Sequence, residues 1–533
     1  MGNSFIIFLS FLLVVKNVNG YNFLVVSPVY GFSHMKFMAA IANQLADAGH
    51  QVTYFQPFVI EQFKNHDLIK NPNIEVINFW HDEEGRKNIK ESVLTDVWTA
   101  VKYQSDLGVK LFVPRMLHSE FKHMCRRMFE DKEMHQTLKD KKFDVAISET
   151  LDFCGLYLAD YLKMPAIISV FTGSKMNVLA EVLGEPSFLH YYPSPSSNFG
   201  PKMSLYDRIN NLYYKILSVS SFGELFDRQF ADIDKQMNGT VRHWRQIIGD
   251  VTYHFANSNP YLDFVVPTIP KVVPIGGYTI DYEKAPPVTK ELDEILNLRK
   301  YTVYISYGTM VSAKFMPDNY KQAMINFFKH NKNVTFLWKY EDPEEKLIKE
   351  NIPENVHLSK WYPQQSLLAD KRVNLFITHG GLGSTMELAY AAKPGIVTPL
   401  FADQPSNAQM LARHNSVEVF SKHDVPNWKK QSDLLRKMLT DERYQKAADR
   451  LAEILNHQPI HPRELVVKYS ENAARFGKMP SLTPFAKDMG FIEFHNIDLI
   501  IYGISFLLFA IYGAIESFGF IRRCFTSPRV KVE

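Results

Sequence analysis

The sequence predicts an α/β protein made of two doubly wound domains and a transmembrane helix. Strand and helix patterns alternate in two separate runs, a proline-rich break divides those runs, and an uncharged apolar stretch lies close to the carboxyl end. A chain of 533 residues exceeds what one ordinary core encloses, and 46% apolar residues supply enough side chains for two. The formal charge of +3 is small, and the body has no basic run of the kind that follows a phosphate backbone, which argues against nucleic acid as a partner.

Residues 1–20 contain an uncharged apolar run at 5–15 and a polar stretch ending at Gly20. That is the layout of a signal peptide, although the positive n-region is missing and Lys16 follows the run. The mature chain is expected to begin near Tyr21, with a first domain over 21–264. Within it "YNFLVVS" reads as a buried strand and "HMKFMAAIANQLADAG" as a helix with Met38, Ile41, Ala42 and Leu45 on one face; "HQVTYFQ" is the next strand. "FDVAIS", "LDFCGLYLADYLKM" and "PAIISVF" repeat the unit. Residues 265–288, rich in proline and holding Gly276 and Gly277, are expected to be a linker. The alternation resumes in a second domain, 289–457, with strands in "YTVYISYG", "VTFLWKY", "VHLSKWYP", "VNLFITHGG" and "GIVTPLF". Helical pattern over 426–457 is expected to pack back across both domains. Residues 458–497 are assigned as a crossover and membrane-proximal segment.

The stretch 499–515, "LIIYGISFLLFAIYGAI", is uncharged, and an apolar helix over 498–521 suffices to span a bilayer. Arg522 and Arg523 follow it, with Arg529 and Lys531 beyond, so the tail 522–533 is expected in the cytosol and the body in a lumen. Asn238 and Asn333 head glycosylation sequons, Cys125 and Cys154 are free to pair there, and Cys524 is placed for palmitoylation. The terminal "RVKVE" is similar to a dibasic endoplasmic reticulum retrieval signal, which suggests that membrane as the location. None of the cysteines has metal-ligand spacing.

The stretch "FITHGGLGSTMEL" runs an apolar strand into glycines and then a helix beginning at Ser384. Glycine costs conformational entropy that an unusual backbone or a closely approaching ligand offsets, and a helix N-terminus after a strand suits phosphate. The spacing is neither a dinucleotide fingerprint nor a Walker loop. Ser384 to Glu387 also spells a capping box, a purely structural alternative.

The run 361–404, "WYPQQSLLADKRVNLFITHGGLGSTMELAYAAKPGIVTPLFADQ", resembles the signature of the UDP-glycosyltransferases, most closely the animal UDP-glucuronosyltransferase type. The resemblance implies two Rossmann-like domains facing a cleft, the GT-B arrangement, and an endoplasmic reticulum enzyme of detoxification chemistry with its catalytic domains lumenal. It implies that Trp361 stacks on uracil with Gln364 beside the base or ribose, that His379, Gly380, Gly381, Gly383, Ser384 and Thr385 face the diphosphate, and that Glu387 takes the ribose diol. Asp403 and Gln404 match the positions that hold sugar hydroxyls. Ser306, Gly308 and Thr309 end another strand and form a further phosphate-facing loop. Many relatives carry Asn where Gly383 stands and Gly where Ser384 stands, so a side-chain amide contact is missing there.

In the first domain the family's catalytic base matches His34 in "SPVYGFSHMKF", where the dipole of a starting helix favours the neutral imidazole. The family's orienting acid, usually aspartate, matches Glu149, with Asp152 as the fallback; the extra methylene changes its reach. The resemblance implies inverting single displacement onto the hydroxyl of a small lipophilic acceptor, with the UDP-sugar as co-substrate and neither cofactor nor metal. The aromatic segments 188–201 and 205–217 suit an acceptor pocket, or equally ordinary core and membrane-facing surface. Whether the donor is UDP-glucuronate or UDP-glucose stays open, as do a homo-oligomer and a non-catalytic lumenal lipophile carrier that keeps the fold.

Overall fold

The computed structural model describes residues 20–526, apart from 60–67, 81–96, 99–117 and the single positions 120, 174, 187, 196 and 310. The expected signal run at 5–15 and the terminal "RVKVE" lie outside the described residues.

Two parallel sheets form the body. The first comprises β1 (Asn22–Val26), β2 (Gln51–Pro57), β3 (Glu75–Phe79), β4 (Val145–Glu149), β5 (Ala166–Phe171), β6 (Tyr253–Ala256) and β7 (Val272–Pro274), in the order β3-β2-β1-β4-β5-β6-β7. The second comprises β8 (Tyr301–Ser306), β9 (Val334–Lys339), β10 (Val356–Ser359), β11 (Val373–Thr378), β12 (Gly395–Val397) and β13 (Val417–Val419), in the order β10-β9-β8-β11-β12-β13. Both are doubly wound, as the alternating pattern predicts. Their central strands are continuous apolar runs because helices cover both faces. In β1 the side chains divide by parity: Leu24 and Val26 join one core cluster, and Phe23 and Val25 join the cluster on the opposite face.

The segment 265–288 is not wholly a linker, since β7 belongs to it and pairs in parallel with β6. Its prolines mislead because an edge strand tolerates residues that cannot donate on its open side. The crossing back to the first domain is made by a helix within 458–497, not by 426–457. Helices Trp428–Thr440 and Glu442–Asn456 stay with the second sheet, contributing Leu435, Met438, Leu451 and Leu455 to its two cores. Helix Pro462–Phe476 returns, burying Val466 and Ala473 beside Phe23 and Val25. Glu471 Oε1 then lies 3.1 Å from His50 Nε2, and Tyr253 donates to Asn472 at 2.8 Å.

Cys125 and Cys154 form a disulfide with Cα atoms 5.5 Å apart, tying residues 29 positions apart at one end of the first core. Closing a loop of that length contributes about 3.5 kcal/mol by restricting the unfolded chain. Cys154→Ser is therefore expected to lower the thermal midpoint of the detergent-solubilised chain. Treatment with reductant should lower the wild-type midpoint as much and leave that of the variant unchanged.

Residues 483–533 form a separate unit. Its helix Ile497–Thr526 includes a span, Ile497–Phe525, with a mean hydropathy of 2.0, long and apolar enough to cross a membrane.

Candidate active site

In a doubly wound sheet, the loops beyond the strand ends open a crevice where the strand order reverses. Here the reversals fall between β1 and β4, and between β8 and β11. Every expected catalytic group and phosphate-facing loop follows one of those four strands. His34 lies in the first turn of helix Phe32–Asp47 after β1, and Glu149 ends β4. Ser306 ends β8, with Gly308 and half-buried Thr309 beyond it, and His379 to Gly383 follow β11.

His34 and Glu149 come together, though not through a direct hydrogen bond. Glu149 Oε2 is 3.6 Å from His34 Nδ1; the carboxylate side chain is 1% exposed and the imidazole 21%. Two hydroxyls fill the junction. Tyr30 Oη lies 2.8 Å from Nδ1 and donates to Glu149 Oε2. Thr172 Oγ1 contacts Nδ1 and is 3.3 Å from Glu149 Oε1. With Nδ1 engaged on the protein side, Nε2 is the nitrogen left for a substrate. The fallback, Asp152, is committed elsewhere: its Oδ1 accepts from the Cys154 amide at 3.1 Å, and burial, with the Glu149 charge adding to it, pushes its carboxyl up to about 7.

Across the crevice, the glycines serve a neighbour before any ligand. A Cβ on Gly308 or Gly381 would stand 2.5 Å from His379 Nε2, so these two make room for the imidazole. Gly308 and Gly380 have φ of +88° and +81°, a region that favours glycine. Gly383 alone among the loop's glycines faces open space. Burial, helped by the nearby Lys339 charge, pushes His379 down to about 4, so its ring is neutral at physiological pH and offers a hydrogen bond rather than a charge. The positive charge here belongs to Lys339, whose Nζ donates to the Gly308 carbonyl at 2.6 Å and to Glu341 at 3.0 Å. Gly381→Ala is expected to push the imidazole out of its slot and raise the donor KM, whereas Gly383→Ala should leave KM close to wild type.

The helix after the loop begins at Leu382, with Gly381 as its N-cap and no side-chain cap. The capping-box reading of Ser384 to Glu387 therefore fails, because both residues already lie inside the helix. Thr385 turns inward, its Oγ1 donating to the Gly380 carbonyl at 3.3 Å, so it braces the loop. Glu387 is buried and accepts from Gln364 Nε2 at 2.6 Å and Gln365 Nε2 at 3.1 Å. It also pairs at 2.8 Å with Lys36 Nζ, which reaches over from the first domain. Gln364 donates to Ser384 Oγ at 3.1 Å as well and accepts from Tyr304 at 3.1 Å. Trp361 is 51% exposed, with Phe32 of the first domain edge-on at 5.1 Å. Asp403 stands at the N-cap of helix Gln404–Ala412, without a side-chain cap, and accepts from Asn407 Nδ2 at 3.0 Å. Gln404 commits its side-chain oxygen Oε1 to the Leu400 and Phe401 amides at 2.9 and 3.1 Å, which fixes the turn carrying Asp403.

Sequence reasoning missed Tyr30, Lys36, Thr172 and Lys339. Tyr30 and Lys36 stand in the same quoted loop as His34, but nothing local marks them. Of the aromatic segment 205–217, Leu205, Tyr206, Ile209, Leu212, Tyr213 and Ile216 are exposed, whereas Lys215 lines a small cavity with Phe188, Leu189, Tyr192 and Ser194 of the segment 188–201. A shallow surface hollow of about 420 Å³ along helix Leu205–Gln236, lined by Gly223, Asp227 and Arg245 among others, shares no residue with either side of the crevice.

Two Rossmann-like sheets opening glycine loops and a histidine onto one crevice define a glycosyltransferase of GT-B type. Solved enzymes share the fold. Os79 from O. sativa, in complex with U2F and trichothecene, matches with a TM-score of 0.57 at 16% identity, over 85% of this chain and all of that one. The calicheamicin glycosyltransferase CalG4 matches with a TM-score of 0.54 at 14% identity, over 86% and 98%. The chain belongs to the UDP-glucoronosyl and UDP-glucosyl transferase family, whose model matches residues 23–532. It is 27% identical over 519 residues to UDP-glucuronosyltransferase 1A8 of Rattus norvegicus, covering 94% of this chain and 92% of the relative. It is 25% identical over 517 residues to UDP-glycosyltransferase UGT5 of Dactylopius coccus, covering 96% and 93%. The protein is a transferase that uses a UDP-sugar.

Proposed function

We propose that this enzyme moves glucuronate or glucose from its UDP-sugar to the hydroxyl of a small lipophilic acceptor, with inversion. The observation that carries the reading is the meeting, at two sheet reversals, of a histidine backed by a buried carboxylate and a glycine loop backed by a lysine. His34 Nε2 takes the acceptor's proton while that oxygen bonds to the anomeric carbon. The bond from that carbon to the diphosphate oxygen breaks on the opposite face, and its electron pair leaves with UDP. Loop amides, the helix start at Leu382 and Lys339 meet the departing charge, which is the interaction that grows most in the transition state. Trp361 stacks on uracil, Gln364 takes a polar edge, and Glu387 exchanges Lys36 for the ribose diol. Asp403, with Gln404 setting its turn, holds sugar hydroxyls.

Turnover with UDP-glucuronate and UDP-glucose side by side, using a lipophilic phenol, tests this and identifies the donor. UDP release from at least one donor is expected. Acceptor binding without release from either would favour the carrier reading.

The helix Ile497–Thr526 serves as a single-pass anchor, with the body in the endoplasmic reticulum lumen. Asn238 and Asn333 are both exposed, as glycosylation requires, and the Cys125–Cys154 bond fits an oxidising compartment. The exposed stripe from Leu205 to Ile216 suits apposition to a bilayer surface. Protection of the body from protease in sealed microsomes supports this placement; digestion there contradicts it.

A further inference from the structure

From the geometry around His34 we infer that Tyr30 is a positioning residue that carries the influence of Glu149 to the catalytic imidazole. The inference rests on His34 being the base.

Direct contact would require Nδ1–H to reach a carboxylate oxygen, and the separation of 3.6 Å is beyond hydrogen-bond length. Tyr30 closes the gap. Its oxygen accepts from Nδ1–H at 2.8 Å, and its own proton goes to Glu149 Oε2. The phenol has nowhere else to turn. It is buried, its ring packs 4.8 Å from the His34 ring and edge-on to Phe121 at 5.1 Å, and burial together with the Glu149 charge keeps it protonated. Thr172 stands at the same junction: its Oγ1 contacts Nδ1 too, and it pins the far carboxylate oxygen, with Oγ1 at 3.3 Å and its amide at 3.5 Å from Oε1. The longer acid at 149 thus acts through an inserted hydroxyl. When His34 accepts the acceptor's proton, the imidazolium is stabilised along Nδ1–H to Tyr30 and Tyr30 O–H to Glu149, two groups that are both buried.

Tyr30→Phe removes one oxygen and keeps the ring packing. It is expected to lower kcat by about 10- to 100-fold, part of the 10²–10⁴ that a positioned base supplies, with the UDP-sugar KM unchanged. A destabilised imidazolium gives up its proton more readily, so the acidic limb of the kcat/KM profile should move to lower pH by about one unit. A purely packing role would lower the thermal midpoint and leave that limb in place. Should Tyr30→Phe fail to fold, Glu149→Gln, which keeps the relay's shape and removes its charge, should move the limb the same way. An unmoved limb in the folded variant overturns the relay. His34→Ala separates the two ideas: activity retained there sinks the base assignment, whereas its loss alongside a wild-type profile for Tyr30→Phe sinks only the relay.

Discussion

His34→Ala is expected to reduce kcat by about 10²–10⁴-fold while UDP still binds with wild-type affinity. The separation follows from the architecture. His34 follows β1 of the first sheet, whereas the groups assigned to UDP follow β8 and β11 of the second or stand further along that domain. Removing the imidazole deletes the proton acceptor and leaves the glycine loop, Trp361 and Glu387 in place. Single-turnover kinetics with UDP-binding calorimetry would check both halves. A variant that turns over at the wild-type rate would remove His34 from the mechanism, and one that loses UDP affinity would place the histidine in the donor site.

Glu387→Ala should have the next largest effect, and on the opposite quantity. The carboxylate is buried and gathers Gln364, Gln365 and Lys36 around itself, three donors that a ribose diol can partly replace. Hydrogen bonds to a charged group contribute about 1.5–3 kcal/mol each, so losing even one ribose contact should raise the donor KM at least roughly 10- to 100-fold, with kcat changed less. The variant should also lose discrimination between UDP and its 2′-deoxy and 3′-deoxy analogues, because the hydroxyls then have no common acceptor. Discrimination preserved in Glu387→Ala would assign the ribose to another group and leave Glu387 as a structural partner of Lys36, Gln364 and Gln365.

The parts of this site that were legible in the sequence lie close together in it. The stretch 361–404 carries Trp361, Gln364, the glycine loop, Glu387, Asp403 and Gln404, and the alternating strand pattern placed the loop at a strand end. Local reading failed where two local meanings competed. Ser384 and Glu387 have capping-box spacing, yet Gly381 is the cap, and the proline-rich 265–288 hides β7. Contacts over long separations were not legible at all. Lys36 meets Glu387 across 351 positions, and Thr172 meets His34 across 138. No composition or period signals either: the first exists only once the two sheets face each other, and the second only once β1 and β5 flank β4 in the first sheet. Glu149 lay between these cases: its position was readable, but the hydroxyl that bridges its extra reach was visible only in three dimensions.

A crystal structure with UDP bound tests the central claim most directly. The account requires the diphosphate against the backbone of Gly308 and of 379–383, uracil on Trp361, ribose on Glu387 with Lys36 displaced, and His34 Nε2 facing the β-phosphate side of the crevice. Uridine diphosphate bound away from these loops, or an imidazole closed off from the crevice when UDP is present, would contradict it.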